Sequence, residues 1–206
     1  CESRVAYKLD WDAVEAVPTL PRDDAVVVVI PDASGEAERT VRSRFSRVTL
    51  GEPGTAPDYV VFGPGLDVDA AVKTAEKRVA DLISVLKRFD STTVVVLTRH
   101  VFPDTKRAVP NLAGAVLWGV CETARLERHA RLVCVDVDTP GPLLTDSWLA
   151  HASEDALRVV DGVVQAQRIV PLDARLHGAS RKWLNVPSEP GVVLVTGGTG
   201  ALGLAV

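Results

Sequence analysis

The residues best suited to chemistry lie near the carboxyl end of the chain. Val192-Val-Leu-Val195 is a short apolar run, and Gly198, Gly200 and Gly203 follow it in the spacing G-x-G-x-x-G. Glycines so placed after a buried strand permit a tight turn, let the backbone approach a pyrophosphate, and let the following helix pack close to the strand. The phosphates would sit at the helix N-terminus, where unpaired N–H groups and the helix dipole favour an anion. The candidate cofactor-binding residues are therefore Gly197, Gly198, Thr199, Gly200, Ala201, Leu202 and Gly203. The same spacing also occurs in glycine-rich turns that hold no ligand, so both readings stand at this point. The chain ends at Val206, before any second strand that could supply an acidic or basic ribose partner, so NAD and NADP are not distinguished.

Other chemistry is sparse. The only tyrosines, Tyr7 and Tyr59, have Trp11 and Gly63 four residues on, so there is no Tyr-x-x-x-Lys pair, and no G-x-S-x-G elbow exists. His100, His129, His151 and His177 lack the i,i+4 pairing of a metal site and are read as solvated or core histidines. Cys1, Cys121 and Cys134 form no C-x-x-C, and the latter two read as buried structural thiols. Asp67 and Asp69 stand where a helix N-terminus favours acids and are read as caps. Asp136 and Asp138 end a strand, a position where α/β folds often keep functional groups. No catalytic residue and no metal ligand is assigned.

The elements that would position these residues alternate along the chain. Val5 to Trp11 has the two-residue period of a half-buried strand, and Ala25 to Ile30 is a continuous apolar run typical of a strand buried on both faces. The turn after it, Pro31-Asp-Ala-Ser-Gly35, lacks the glycine spacing of a phosphate loop and reads as a degenerate Rossmann turn. Ser34 is the expected cap of a helix over 35–45, followed by short strands at 48–50 and 59–62. Val68, Val72, Ala75, Val79, Leu82, Ile83 and Leu86 predict one apolar helical stripe, with Lys73, Lys77, Arg78, Asp81 and Lys87 opposite. A strand is expected at 92–97, a helix at 111–127 with Leu112, Val116, Val120 and Thr123 in register, and a strand at 132–137. A helix over 145–160, a strand over 163–170, a polar linker over 178–190 and the strand 192–195 complete the reading. Such alternation implies βαβ units, hence an α/β, Rossmann-like fold with a mostly parallel sheet and helices on both faces.

Composition excludes several classes. The chain has 206 residues, 47% hydrophobic and 24% charged, enough to bury a core without disulfides. Its net charge of -4, with basic and acidic residues interleaved, argues against nucleic acid as a partner. No apolar run is long enough for a membrane span, and charged residues occupy the N-terminus, so a cytoplasmic location is expected. The absence of Met suggests a segment of something longer.

Taken in order, Leu9-Asp-Trp11, the valines at 26–29, Val94-Val-Val-Leu-Thr-Arg99, Leu117-Trp-Gly119, Leu126-Glu127, Val135-Asp136, Glu154-Asp155, Val170-Pro-Leu172 and Thr196 to Gly203 carry a resemblance. The chain resembles the ketoreductase region of type I polyketide synthases. The resemblance implies a structural, non-catalytic subdomain over 1–186, a degenerate short-chain dehydrogenase fold. It implies a linker with the first strand and glycine turn of the catalytic subdomain over 187–206. It further implies NADPH as cofactor of the complete reductase, a β-ketoacyl chain on an acyl carrier protein as substrate, and the catalytic subdomain of the same polypeptide as partner. The family's Ser, Tyr, Lys and Asn would lie beyond this chain, which alone is expected to be inactive. Only a short linker separates Pro171 from Thr196, so the module is expected to lack an inserted enoylreductase. Trp118-Gly-Val-Cys-Glu122 departs from the family's usual Trp-Gly-Gly-Arg. Two alternatives remain at this point: a vestigial Rossmann-like spacer or docking module, and half of a split reductase completed in trans.

Overall fold

The computed structural model describes residues 7–15, 24–51, 56–68, 72–102, 110–139, 143–151 and 153–171. Its elements are β1 (Tyr7–Ala13), β2 (Val26–Ile30), α1 (Glu36–Arg42), β3 (Arg47–Leu50), β4 (Tyr59–Gly65), α2 (Val72–Arg88), β5 (Thr93–Arg99), α3 (Leu112–Glu127), β6 (Leu132–Val137), α4 (Leu143–Ala150), β7 (Ala156–Val160) and β8 (Val163–Pro171). Almost all of this belongs to one compact unit, Leu9–Arg168. A second unit, Cys1–Lys8 with Ile169–Val206, is described only at Tyr7, Lys8 and Ile169–Pro171. The expected linker, the strand at 192–195 and the boundary at 186/187 lie outside the described residues.

The eight strands form one sheet in the order β1-β8-β7-β6-β5-β4-β2-β3. From β3 to β7 every pairing is parallel, and β8 joins β7 antiparallel. The continuous valine runs have the physical cause read from the sequence, since a parallel strand is covered on both faces. Val27 and Val29 face one layer with Ala37 and Val41 of α1 and Trp148 and Leu149 of α4. Val28 faces the other, with Leu82, Val85 and Leu86 of α2 and Leu117, Trp118 and Cys121 of α3. Helices therefore cover both faces, as expected.

Three expectations are corrected. The helix predicted over 145–160 stops at Ala150, and residues 156–160 form β7. Asp161 and Gly162 take φ of 49° and 77°, the left-handed pair that closes a two-residue hairpin into β8. The Asp-Gly between Val159-Val160 and Val163-Val164 was the available signal. On α2, Arg78 lies inside the fold and not on the polar side: it is 7% exposed and donates to the Asp67 carbonyl at 2.8 Å. On α3 the buried face is Ala113, Gly114, Leu117, Trp118 and Cys121, while Leu112, Val116 and Thr123 of the predicted stripe are exposed.

The β4 strand continues through Gly63-Pro64-Gly65 with a register shift between Phe62 and Gly65. A Cβ on Gly65 would stand 2.3 Å from the Leu97 carbonyl oxygen and 3.2 Å from a Leu117 methyl. The backbones of β4 and β5 approach there too closely for any side chain. Gly65→Ala is expected to destabilise the domain by about 2–3 kcal/mol through overpacking, read as a lower urea midpoint with an unchanged slope.

Candidate functional site

In an open parallel sheet a ligand crevice forms beyond the strand ends at the point where strand order reverses. Here β2 is followed by β3 on one side and β4 on the other, so that point lies between β2 and β4. The residues bordering it are Pro31 to Gly35 after β2 and Leu66 and Asp67 after β4. A nucleotide site would need glycines and free amides in this place.

The structure puts carboxylates there instead. Asp32, 5% exposed, accepts the Ala37 N–H at 2.8 Å and the Glu36 N–H at 3.1 Å, which are amides of the first turn of α1. The Ser34 hydroxyl also donates to it. Burial pushes the Asp32 carboxyl up, but the Ser34 hydroxyl and the Ala37 and Glu36 amides outweigh burial and hold it below its ordinary value. Ser34 is thus not the helix cap expected from sequence: Gly35 holds that position at φ 68°, and its left-handed turn lets Asp32 reach back under the helix. Asp67 accepts the Ala33 N–H at 3.1 Å and faces the Arg78 guanidinium at 3.8 Å. It ties the two loops together and does not cap α2, which begins at Val72. Asp69 lies outside the described residues. Glu36 pairs with Arg99 at 2.5 Å across the same edge. A pyrophosphate brought to this crevice would meet carboxylates on the amides it needs, so the described residues do not fit a dinucleotide.

The remaining candidates are structural. Asp136, 3% exposed, accepts the Phe102 N–H at 2.9 Å, the Val101 N–H at 3.0 Å and the Thr98 hydroxyl at 2.9 Å. Burial raises its carboxyl against these three donors. Asp138 accepts the Asp161 N–H at 2.9 Å and so holds the β7–β8 turn. Asn111 caps α3 by accepting the Gly114 N–H at 3.0 Å, and its amide donates to the carbonyls of Arg99 at 3.0 Å and Gly65 at 3.3 Å. His100 bonds the Asp138 carbonyl at 2.8 Å, buried His151 bonds the Ser147 carbonyl at 2.6 Å, and His129 is exposed. Cys121 and Cys134 are free and buried, as expected of structural thiols. Burial drives the Cys134 thiol well up, as does its hydrogen bond with Cys121. Among the described residues no group of His, Cys, Asp or Glu could hold a metal, and no helix is long and apolar enough to cross a membrane. Residues 197–203 and His177 lie outside the described residues. Sequence reasoning missed Asp32 and the Glu36–Arg99 pair; the signal was an acid in a strand-to-helix turn where a phosphate loop carries glycine.

The architecture is that of a Rossmann-type domain in which the described helix-start amides at the crevice are taken by its own side chains. Residues 9–169 match the family model described as "Polyketide synthase extender module SpnB, Rossmann fold domain". The chain belongs to this family of polyketide synthase Rossmann domains. It is 33% identical over 160 residues to the spectinabilin polyketide synthase system protein NorA of Streptomyces orinoci, covering 76% of this chain and 8% of that protein. It is 30% identical over 193 residues to 6-methylsalicylic acid synthase of Aspergillus terreus, covering 90% of this chain and 10% of that one. The chain thus spans a small part of these relatives. Among solved structures, the first ketoreductase of the tylosin polyketide synthase superposes with a TM-score of 0.60 at 20% identity, over 96% of this chain and 46% of that one. A C2-type ketoreductase from a modular polyketide synthase gives 0.63 at 16% identity, over 81% and 44%. The shared fold is ketoreductase-like.

Asp32 generates a pH-dependent prediction. Its lowered pKa means that the ionised carboxylate stabilises the fold fully above its unfolded value near 3.8, and that this contribution is lost as pH falls through the lower folded value. Asp32→Asn is expected to cost about 1–3 kcal/mol at pH 7. The gap to the wild-type protein should close as the pH drops below 3.8 in urea denaturation. A pH-independent gap would show that the charge contributes nothing.

Proposed function

We propose that this chain is the structural subdomain of a polyketide synthase ketoreductase, supporting the catalytic subdomain of the same polypeptide. The observation that carries this reading is the Asp32 carboxylate on the first amides of α1, at the switch point of the doubly wound parallel sheet. A domain with these amides so taken is suited to bearing load and unsuited to holding a nucleotide. In this reading residues 1–186 are the supporting subdomain, and 187–206 begin the catalytic one. Gly197, Gly198, Thr199, Gly200, Ala201, Leu202 and Gly203 supply the first turn of its NADPH site, with NADPH delivering hydride when bound to the complete reductase. The substrate is a β-ketoacyl group carried on an acyl carrier protein. Family membership and the ketoreductase-like fold support this assignment.

NADPH titration, followed by nucleotide fluorescence, tests the reading on this chain and on the same chain extended by about 250 residues of its parent, the size of one further domain. The chain alone is expected not to bind and to show no β-keto thioester reduction, and the extended polypeptide is expected to bind. Binding by neither would overturn the reading in favour of a vestigial spacer. Turnover by this chain alone would overturn it outright.

A further inference from the structure

Basic and acidic residues are interleaved along most of the chain, and the segment from Arg39 to Gly51 departs from that pattern. It holds Arg39, Arg42, Arg44 and Arg47, and no Asp or Glu, in a protein whose net charge is -4. All four arginines are exposed. By contrast Arg78, Arg125 and Arg128 turn inward: their side chains are at most 16% exposed, and their guanidiniums donate to the carbonyls of Asp67, Leu132 and Leu86.

The fold gathers the four exposed charges at one edge of the sheet. Arg39 and Arg42 are three residues apart on α1 and share a helix face. Arg44 lies in the turn after α1, and Arg47 opens β3, the last strand on that side. Val48 is buried in the α1 layer, so Arg47 points to the other face, and the four side chains flank the edge from both sides. Two of them are held in place without losing their charge: Arg39 donates to the Ser34 carbonyl at 2.7 Å and Arg47 to the Asp24 carbonyl at 3.3 Å. Arg42 pairs with Glu38 at 2.7 Å and is still 47% exposed. Glu36, the other acid of α1, faces Arg99. Local structure accounts for only part of this. Cations suit the carboxyl end of α1, which explains Arg39 and Arg42, but Arg44 and Arg47 lie past the helix. Charge of either sign keeps an edge strand from mispairing, so that need does not explain a single sign.

We propose that this arginine edge docks an acidic protein surface carried by another domain of the parent polypeptide. Guanidinium forks match carboxylates in pairs of hydrogen bonds. Val41, Phe45 and Val48 are buried, and Leu50 alone of the large apolar residues in this segment is exposed, so the contact is electrostatic and sensitive to salt. With so little apolar surface to insert, a membrane is a poor fit, and the net charge of -4 disfavours nucleic acid. A tether makes a weak contact sufficient, because a linked partner is present at an effective concentration on the order of millimolar. The proposal goes beyond the supporting role and does not rest on it.

Carbodiimide coupling in the parent polypeptide tests it. Arg42→Lys and Arg44→Lys keep the charge and add an amine, which carbodiimide joins to a carboxylate in contact with it, and peptide mass spectrometry locates the joint. Folding is checked by urea unfolding, and the native, exposed Lys73 and Lys77 on α2 give the background. Coupling is expected from positions 42 and 44 to the Asp and Glu residues of one segment outside residues 1–206. It should fall about tenfold or more between about 0.05 and about 1 M salt, with the background changing far less. No coupling above background, or coupling only within residues 1–206, would overturn the inference. So would coupling between two copies, read by mixing isotopically light and heavy protein. Binding of this chain to duplex DNA or to phosphatidylglycerol vesicles, lost when Arg42→Glu and Arg44→Glu are combined, would also overturn it. NADPH binding by the extended polypeptide is expected to be the same in every variant, so the proposed function is tested separately.

Discussion

At the carboxyl edge of a parallel sheet, strand ends and helix starts bring unpaired amides together, and something must accept from them. In nucleotide-binding relatives of the Rossmann type the acceptor is a phosphate. In this chain it is a set of short acidic and amide side chains. Asp32 takes the first turn of α1, Asp67 the Ala33 amide, Asp136 the Val101 and Phe102 amides, and Asn111 the first turn of α3. The contacts of Asp67 and Asp136 join loops distant in sequence, so they set the strand ends against one another as well as satisfying the donors. The left-handed Gly35 makes the Asp32 contact possible, and the buried Arg78 and the bare backbone approach at Gly65 lie along the same edge.

The sheet was legible because its strands are written in the plainest code available. Runs such as Val26-Val-Val-Val-Ile30 and Thr93 to Leu97 admit few readings other than strands covered on both faces, and they lie where expected. The helices were read less well, for different reasons. The segment over 145–160 mixes a short helix with the first strand of a hairpin, and the Asp161-Gly162 turn that separates β7 from β8 outweighs any helical period across it. In α3 the period was sound and the face was wrong. Leu112, Val116, Val120 and Thr123 repeat at helical spacing as well as Ala113, Leu117 and Cys121 do, and periodicity cannot say which of two apolar faces meets the sheet.

The site was the harder reading. Loss of the glycine pattern after Ile30 was visible, and that absence alone predicted a turn without phosphate. What takes the place of the phosphate was not visible, because an Asp followed two residues later by Ser reads locally as a turn or a cap. Only the left-handed Gly35 brings the Asp32 carboxylate under the helix, and backbone conformation at one glycine is not written in hydrophobic periodicity. Asp136 shows the same limit from the other side. Its place at a strand end suggested chemistry, and its three donors consume it in holding the loop after β5.

Meeting these amides internally has an energetic consequence that suits the supporting role proposed for this domain. A protein whose helix-start amides await a ligand gains stability only when that ligand is present, in proportion to the logarithm of its concentration. A protein that meets the same amides with its own carboxylates has a stability independent of nucleotide. Glu36 and Arg99, paired over the same edge, add to that independence. The ordering of these side chains is settled once, on folding, and not again at each ligand exchange. In the opposite layer Arg128 likewise ties the end of α3 to the Leu86, Phe89 and Thr92 carbonyls at and after the end of α2. The acids that take the helix-start amides from a nucleotide are therefore the same groups that would fit this domain to the supporting role proposed for it.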